Sequence, residues 1–254
     1  MCGQCGIIWG RKERSRSEIK KLTTIFTGLL AANEHRGRYA TGVANIRMDG
    51  TYEIHKAPVN ATMFVISDEY EKLLNNVDSQ TTILMGHTRW PTQGSHLDNN
   101  NNHPLVIDNG TGDGSSDGIG AIIGTHNGHI SNWKALFVSL GYPRTTEVDS
   151  EIILRMAQDA IKYGSIDKSA LVRLLSRCKG QMSVVMTLLS EPGRIIVVKG
   201  NKPFVLMYNE KRDVLLYASE LDFMSEILMQ EGEWIKADVR PMSVVAFECG
   251  NLRG

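Results

Sequence analysis

The sequence predicts an α+β protein with a layered architecture of largely antiparallel sheets. Three features carry that reading. The apolar strands fall into groups with helical stretches between them, instead of alternating strictly as β-α-β. The C-terminal half is mostly strand. No internal repeat and no Pro- or Ser-rich linker divides residues 1–254, which read as a single domain.

Residues 5–9 form the first short apolar strand. Residues 17–33 then carry Ile19, Leu22, Ile25, Phe26, Leu29 and Leu30 at helical spacing, behind a basic entry that reads as solvated. Residues 41–47 and 51–57 are strands joined by Asp49-Gly50, a dipeptide suited to tight hairpin turns. Residues 81–87 and 120–126 are further strands, each running into a polar cluster, and residues 108–117 are too rich in Gly, Asp, Ser and Asn to bury. Helices are expected over 131–140, 150–163, 168–178 and 221–230, and strands over 182–189, 194–198, 204–208, 214–218 and 243–247.

Composition excludes several classes. Lys plus Arg equals Asp plus Glu at 28 each, so no net field invites nucleic acid, an anionic membrane or a polyanion. No apolar run approaches the roughly 18 residues that a membrane span needs. The N-terminus has no basic segment followed by an apolar stretch, so no secretory signal is read and a cytoplasmic location is the default. Cys2, Cys5, Cys178 and Cys249 form no disulfide framework. The lone CxxC of Cys2 and Cys5 lacks a second ligand pair at metal spacing, so no metal or other cofactor is assigned, and Cys178 and Cys249 read as core.

Four segments carry chemistry. Met1 precedes a small residue, so its removal would leave Cys2 with a thiol and a free α-amine, a nucleophile and a base in one residue. The run 87–94 places Arg89, whose planar fork suits a carboxylate, at a strand end with Trp90 and Thr92. In the run 125–132, Asn127 and Gly128 offer N–H donors for an oxyanion, although Asn-Gly is also an ordinary turn. In the run 145–151, Asp149 can pair with an ammonium or cap the helix that follows.

In this order the segments resemble the class II glutamine amidotransferases, which are N-terminal-nucleophile hydrolases. Met1-Cys2-Gly3 resembles the start of the family's catalytic domain. Arg36-Gly37 with Thr41-Gly42 resembles its RG-x(4)-G segment, and Asn102-His103-Pro104 its NxHP segment. Residues 87–94 are most similar to the HTRWxTxG stretch of glucosamine-6-phosphate synthases, with Pro91 and Gln93 standing where Ala and His are usual. Ala218-Ser219-Glu220 and the following helix fit the C-terminal half, so the likeness spans the chain.

The resemblance implies a four-layer αββα sandwich and a set of roles. Cys2 is the nucleophile and its amine the base, Asn127 and Gly128 hold the oxyanion, Arg89 the glutamine carboxylate and Asp149 its ammonium. Trp90, Thr92 and His103 line the pocket. It implies glutamine as substrate and no cofactor. Because no synthase domain is read in the chain, it also implies an ammonia-accepting synthase acting in trans. A glutamine-binding regulatory module without catalysis is the alternative. The acceptor and the oligomeric state are not legible.

Overall fold

The structure, a computed structural model, describes residues 2–108, 120–229 and 231–252. Met1 and, apart from Asp108, the polar stretch 108–117 read as a surface insertion lie outside the described residues. In chain order, β1 (Gly3–Trp9) leads to α1 (Arg16–Ala32), and the hairpin of β2 (Ala40–Arg47) and β3 (Tyr52–Ala57) is followed by α2 (Ala61–Phe64) and α3 (Asp68–Asn75). Next come β4 (Thr81–Arg89), β5 (Leu105–Ile107), β6 (Ile122–Ile130), α4 (Trp133–Leu140) and α5 (Glu151–Asp159). A small hairpin of β7 (Ile161–Lys162) and β8 (Ser165–Ile166) precedes α6 (Lys168–Leu175). The remainder is β9 (Gly180–Leu188), β10 (Arg194–Lys199), β11 (Val205–Asn209), β12 (Val214–Ala218), α7 (Leu221–Leu228), β13 (Ile235–Ala237) and β14 (Ser243–Glu248).

The strands form a seven-stranded sheet, in the order β13-β11-β12-β1-β4-β2-β3, and a five-stranded sheet, β14-β10-β9-β6-β5. Their pairings are antiparallel. Alternation along each strand then sorts side chains into three cores. On β1, Cys5, Ile7 and Trp9 pack with Phe26 and Leu30 of α1, whereas Ile8 faces the other sheet and meets Ile123, Val185 and Val197. On β9, Val184, Met186 and Leu188 face α5 and α6. Helices, sheet, sheet and helices therefore stack as four layers, αββα.

Local chemistry explains the elements that place the site. Ser15 and Glu18 close a capping box at the start of α1, with Ser15 Oγ accepting from the Glu18 N–H at 3.2 Å and Glu18 Oε2 from the Ser15 N–H at 3.1 Å. Leu22, Ile25, Phe26, Leu29 and Leu30 are then buried on one face, and truncating any of them to Ala would cost about 2–5 kcal/mol. Gly50, at φ +83°, makes the turn between β2 and β3 that Asp49-Gly50 predicts.

The structure corrects several boundaries. The strand predicted over 120–126 runs through Asn127 and Gly128 to Ile130, so this Asn-Gly is no turn. The helix predicted over 150–163 stops at Asp159, because Tyr163 and Gly164, with φ of 51° and 79°, turn the chain into the β7–β8 hairpin. Gln158 at the end of α5 donates through Nε2 to Ile107 O at 3.2 Å and Gly120 O at 2.9 Å.

Candidate active site

Cys2 stands at the mouth of β1, one step beyond the pair Gly3–Thr88 that joins β1 to β4, and this register brings it level with Arg89. Its half-buried thiol donates to the carbonyl of Trp90 at 3.5 Å. Burial pushes the thiol above its ordinary value; the Arg89 guanidinium pulls it back and the Asp149 carboxylate adds to the rise. Cys5 is in the core beneath α1, so the two thiols of the CxxC do not converge. Cys249 is buried, and Cys178 is partly buried against Met156, as core residues are.

The second sheet comes to this point through β6. Asn127 is buried beside Cys2, and its neighbours fix its amide: the nitrogen donates to Cys2 O at 3.0 Å and the oxygen accepts from Arg36 Nη2 at 3.3 Å. Arg36 Nε also donates to Cys2 O, at 2.9 Å, and Nη1 pairs with Glu220. Gln4 stitches the sheets just behind, accepting from Thr125 Oγ1 at 3.1 Å and donating to Ser183 O at 3.3 Å. A Cβ on Gly128 would lie 1.8 Å from Gln181 O at a φ of +155°, so only glycine lets β6 and β9 approach here.

Arg89 is 3% exposed, and its fork is filled by its own loop. Nη2 donates to Gln93 O at 2.5 Å and Gly94 O at 2.9 Å, and Nη1 to Ser95 O at 3.3 Å and Asn102 Oδ1 at 2.7 Å. Burial works against its charge, which Cys2, Asp149 and Glu147 favour. Glu147 locks the same loop from the far side, accepting from the Ser95 N–H at 3.1 Å and Asn101 Nδ2 at 2.8 Å.

Asp149 does not cap α5, whose N-cap is Ser150. Its Oδ2 instead reaches β6, accepting from the Ile130 N–H at 2.5 Å and lying 3.1 Å from His129 Nδ1. The segment that carries it is pinned by Glu151, fully buried, which accepts from the N–H and hydroxyl groups of Thr145 and Thr146 and pairs with Arg155 at 3.2 Å.

The structure thus brings together Cys2, Arg89, Asn127 and Asp149, with Gly128 next along β6. The Trp90 ring, 43% exposed, turns outward against Tyr39, and Thr92 is exposed on the same loop. His103, placed in the pocket lining by the sequence, is buried behind it, its ring centroid 4.4 Å from that of His87. His87, His103 and His126 form a buried group whose protonation burial suppresses, His87 being pushed down to about 3. Sequence reasoning quoted Arg36 and Glu220 only as parts of motifs, and assigned nothing to His129 or to the lock formed by Glu147. Arg36 and Glu220 stand 184 positions apart, so no local pattern pairs them.

Cys2 thus precedes a central strand, between two facing sheets with helices on their outer faces, the four-layer αββα arrangement that the resemblance implies. No protein-family model matches the chain. Among curated proteins, glutamine–fructose-6-phosphate aminotransferase (isomerizing) of Sulfurisphaera tokodaii is 29% identical over 218 residues, 85% of this chain and 33% of that protein. The enzyme of that name from Symbiobacterium thermophilum is 28% identical over 251 residues, 96% of this chain and 36% of that protein. The chain spans about a third of the length of these relatives. Among solved structures, glutamine phosphoribosylpyrophosphate amidotransferase from B. subtilis aligns with a TM-score of 0.67 at 19% identity, over 98% of this chain and 49% of that one. A glutamine aminotransferase class-II domain protein from Silicibacter pomeroyi gives 0.56 at 14%, over 96% and 94%. In sequence and in fold the chain resembles the class II glutamine amidotransferase family.

Proposed function

We propose that this chain hydrolyses glutamine at Cys2 and passes the ammonia to a synthase that acts in trans. One observation supports the proposal: the register of β1 and β4 sets Cys2 beside Arg89, Asn127 reaches the carbonyl of Cys2 from the opposite sheet, and the charges of Arg89 and Asp149 both act on the thiol. A cation and an anion beside a thiol suit the carboxylate and ammonium of an amino acid. Removal of Met1 frees the α-amine of Cys2, which takes the thiol proton. The sulfur then bonds to the glutamine Cδ, and the carbonyl oxygen becomes an oxyanion.

Asn127 uses one amide hydrogen on Cys2 O and keeps a second for the oxyanion, next to the Gly128 N–H. The C–N bond breaks, the amine returns the proton, and ammonia leaves a γ-glutamyl thioester. Water cleaves that thioester to glutamate and restores the thiol. Arg89 contributes its charge and Nε–H, since its other donors hold the loop.

The test is glutamate release from glutamine by the purified chain, with Cys2→Ala as the control and the mass of the protein reporting loss of Met1. Equal release by both, or retention of Met1 in an active protein, overturns the mechanism. Binding of glutamine without turnover, even beside the co-purifying partner, would assign a regulatory module instead.

A further inference from the structure

The pairing of β5 with β6 ends at Leu105–Gly124. Beyond it, among the described residues, β9 alone continues beside β6, as far as the pair Ile130–Gly180. Successive residues of a strand turn their backbone groups to opposite sides. Odd-numbered residues face β9, since Ala121 O accepts from the Leu189 N–H at 2.9 Å and the Ser131 N–H donates to Lys179 O at 2.8 Å. His126, Gly128 and Ile130 therefore face the side that β5 has left.

Two of these three are anchored by other parts of the chain. The Ile130 N–H donates to Asp149 Oδ2 at 2.5 Å. His126 O lies 3.2 Å from Nε2 of His87, which β4 sends across from the seven-stranded sheet. His87 has the parity of Ile83 and Met85, whose side chains fill the space between the sheets. A carbonyl only accepts, so Nε2 carries the proton of this buried, neutral ring, and the ring's one N–H is spent on His126. Gly128 stands between the two anchors, and the Asn127 side chain meets Cys2 O at 3.0 Å.

We propose that His87 is a positioning residue for the oxyanion donors: its Nε2–H does for His126 what a neighbouring strand would do, and so fixes the chain that aims Asn127 and Gly128. The inference rests on the reading of Cys2 as nucleophile and of these two residues as the donors. Without the bond, residues 126–129 keep β9 but can pivot about it. Donors displaced by up to about 1 Å slow the chemical step about tenfold or more. The glutamine head group, held by Arg89 and Asp149 in that reading, is spared.

Steady-state glutamine hydrolysis by the purified chain tests this with two amide variants. In His87→Gln the amide nitrogen can stand where Nε2 stands; in His87→Asn it is one bond too short to reach His126 O. The expected result is kcat about tenfold or more lower in His87→Asn with KM within about twofold, and kcat within about threefold of the unsubstituted chain in His87→Gln. Calorimetry on the Cys2→Ala background should give both variants the same glutamine affinity, which separates misaimed donors from a damaged fold. Equal kcat in the two variants, or a fall in kcat matched by the same loss of affinity, overturns the positioning role and leaves hydrolysis at Cys2 standing. An unsubstituted chain that releases no glutamate overturns the function on which the role rests.

Discussion

The amide oxygen of Asn127 and Nη2 of Arg36 lie 3.3 Å apart, and both side chains donate to the carbonyl of Cys2. The backbone of Cys2 is therefore held from two sides at once, by β6 of the second sheet and by the turn after α1. Arg36→Lys keeps a charge near Glu220 but loses the forked geometry. It should lower kcat for glutamine hydrolysis by about tenfold or more with little change in KM, and Glu220→Gln should do less. Steady-state kinetics with a melting curve separate this from unfolding.

Asn102 fastens the guanidinium of Arg89 to the NxHP segment at 2.7 Å, and its nitrogen holds His96 O and Asn99 Oδ1. Asn102→Ala should free the loop over residues 93–95, raising KM about tenfold with a smaller fall in kcat. Faster amide hydrogen exchange across that loop is the independent readout; unchanged exchange would deny Asn102 this role.

Alkylation reports the field at Cys2. Because burial raises the thiol, Arg89 lowers it and Asp149 raises it, iodoacetamide should label Cys2 faster as pH rises. Arg89→Gln should slow the reaction by about threefold or more, and Asp149→Asn should accelerate it. Peptide mass spectrometry distinguishes Cys2 from Cys5, whose burial in the core keeps it unlabelled while folded.

Acid should destabilise the fold through its buried histidines. Burial holds His87, His103 and His126 below the ordinary histidine value in the folded state, so the unfolded chain binds protons that the folded one refuses. Stability is then complete above about pH 6.5 and falls by up to about 1.4 kcal/mol per pH unit for each such histidine below it. Urea midpoints at about pH 7 and about pH 5 measure the slope, which His87→Gln should reduce.

Gly128→Ala would drive a methyl into Gln181 O, at 1.8 Å from its ideal position, at a φ that alanine resists. A loss of about 3 kcal/mol or more is expected in denaturant unfolding. An alanine variant of native stability would mean that β6 and β9 can separate at the site.

Much of the fold was legible because local pattern and packing agree. The apolar face of α1, the Asp49-Gly50 turn and the alternation along β9 each state their own structure. Helix α3 was not read, since it buries only Tyr70 and Leu73 among charges, and β5 is three residues long and gains its identity from pairing with β6. At the site, residue types announced Cys2, Arg89, Asn127 and Asp149. The sequence had no means of stating that the fork of Arg89 closes on its own loop, or that Asp149 prefers the Ile130 N–H to the helix it precedes. Those choices depend on which strand lies across the gap, a matter of tertiary contact between segments with no local signature.

The single side-chain nitrogen of Gln158 grips the chain on both sides of the 109–119 stretch, at Ile107 and Gly120. Loss of that side chain would leave two buried carbonyls, at the ends of two neighbouring strands, without their shared donor at one stroke.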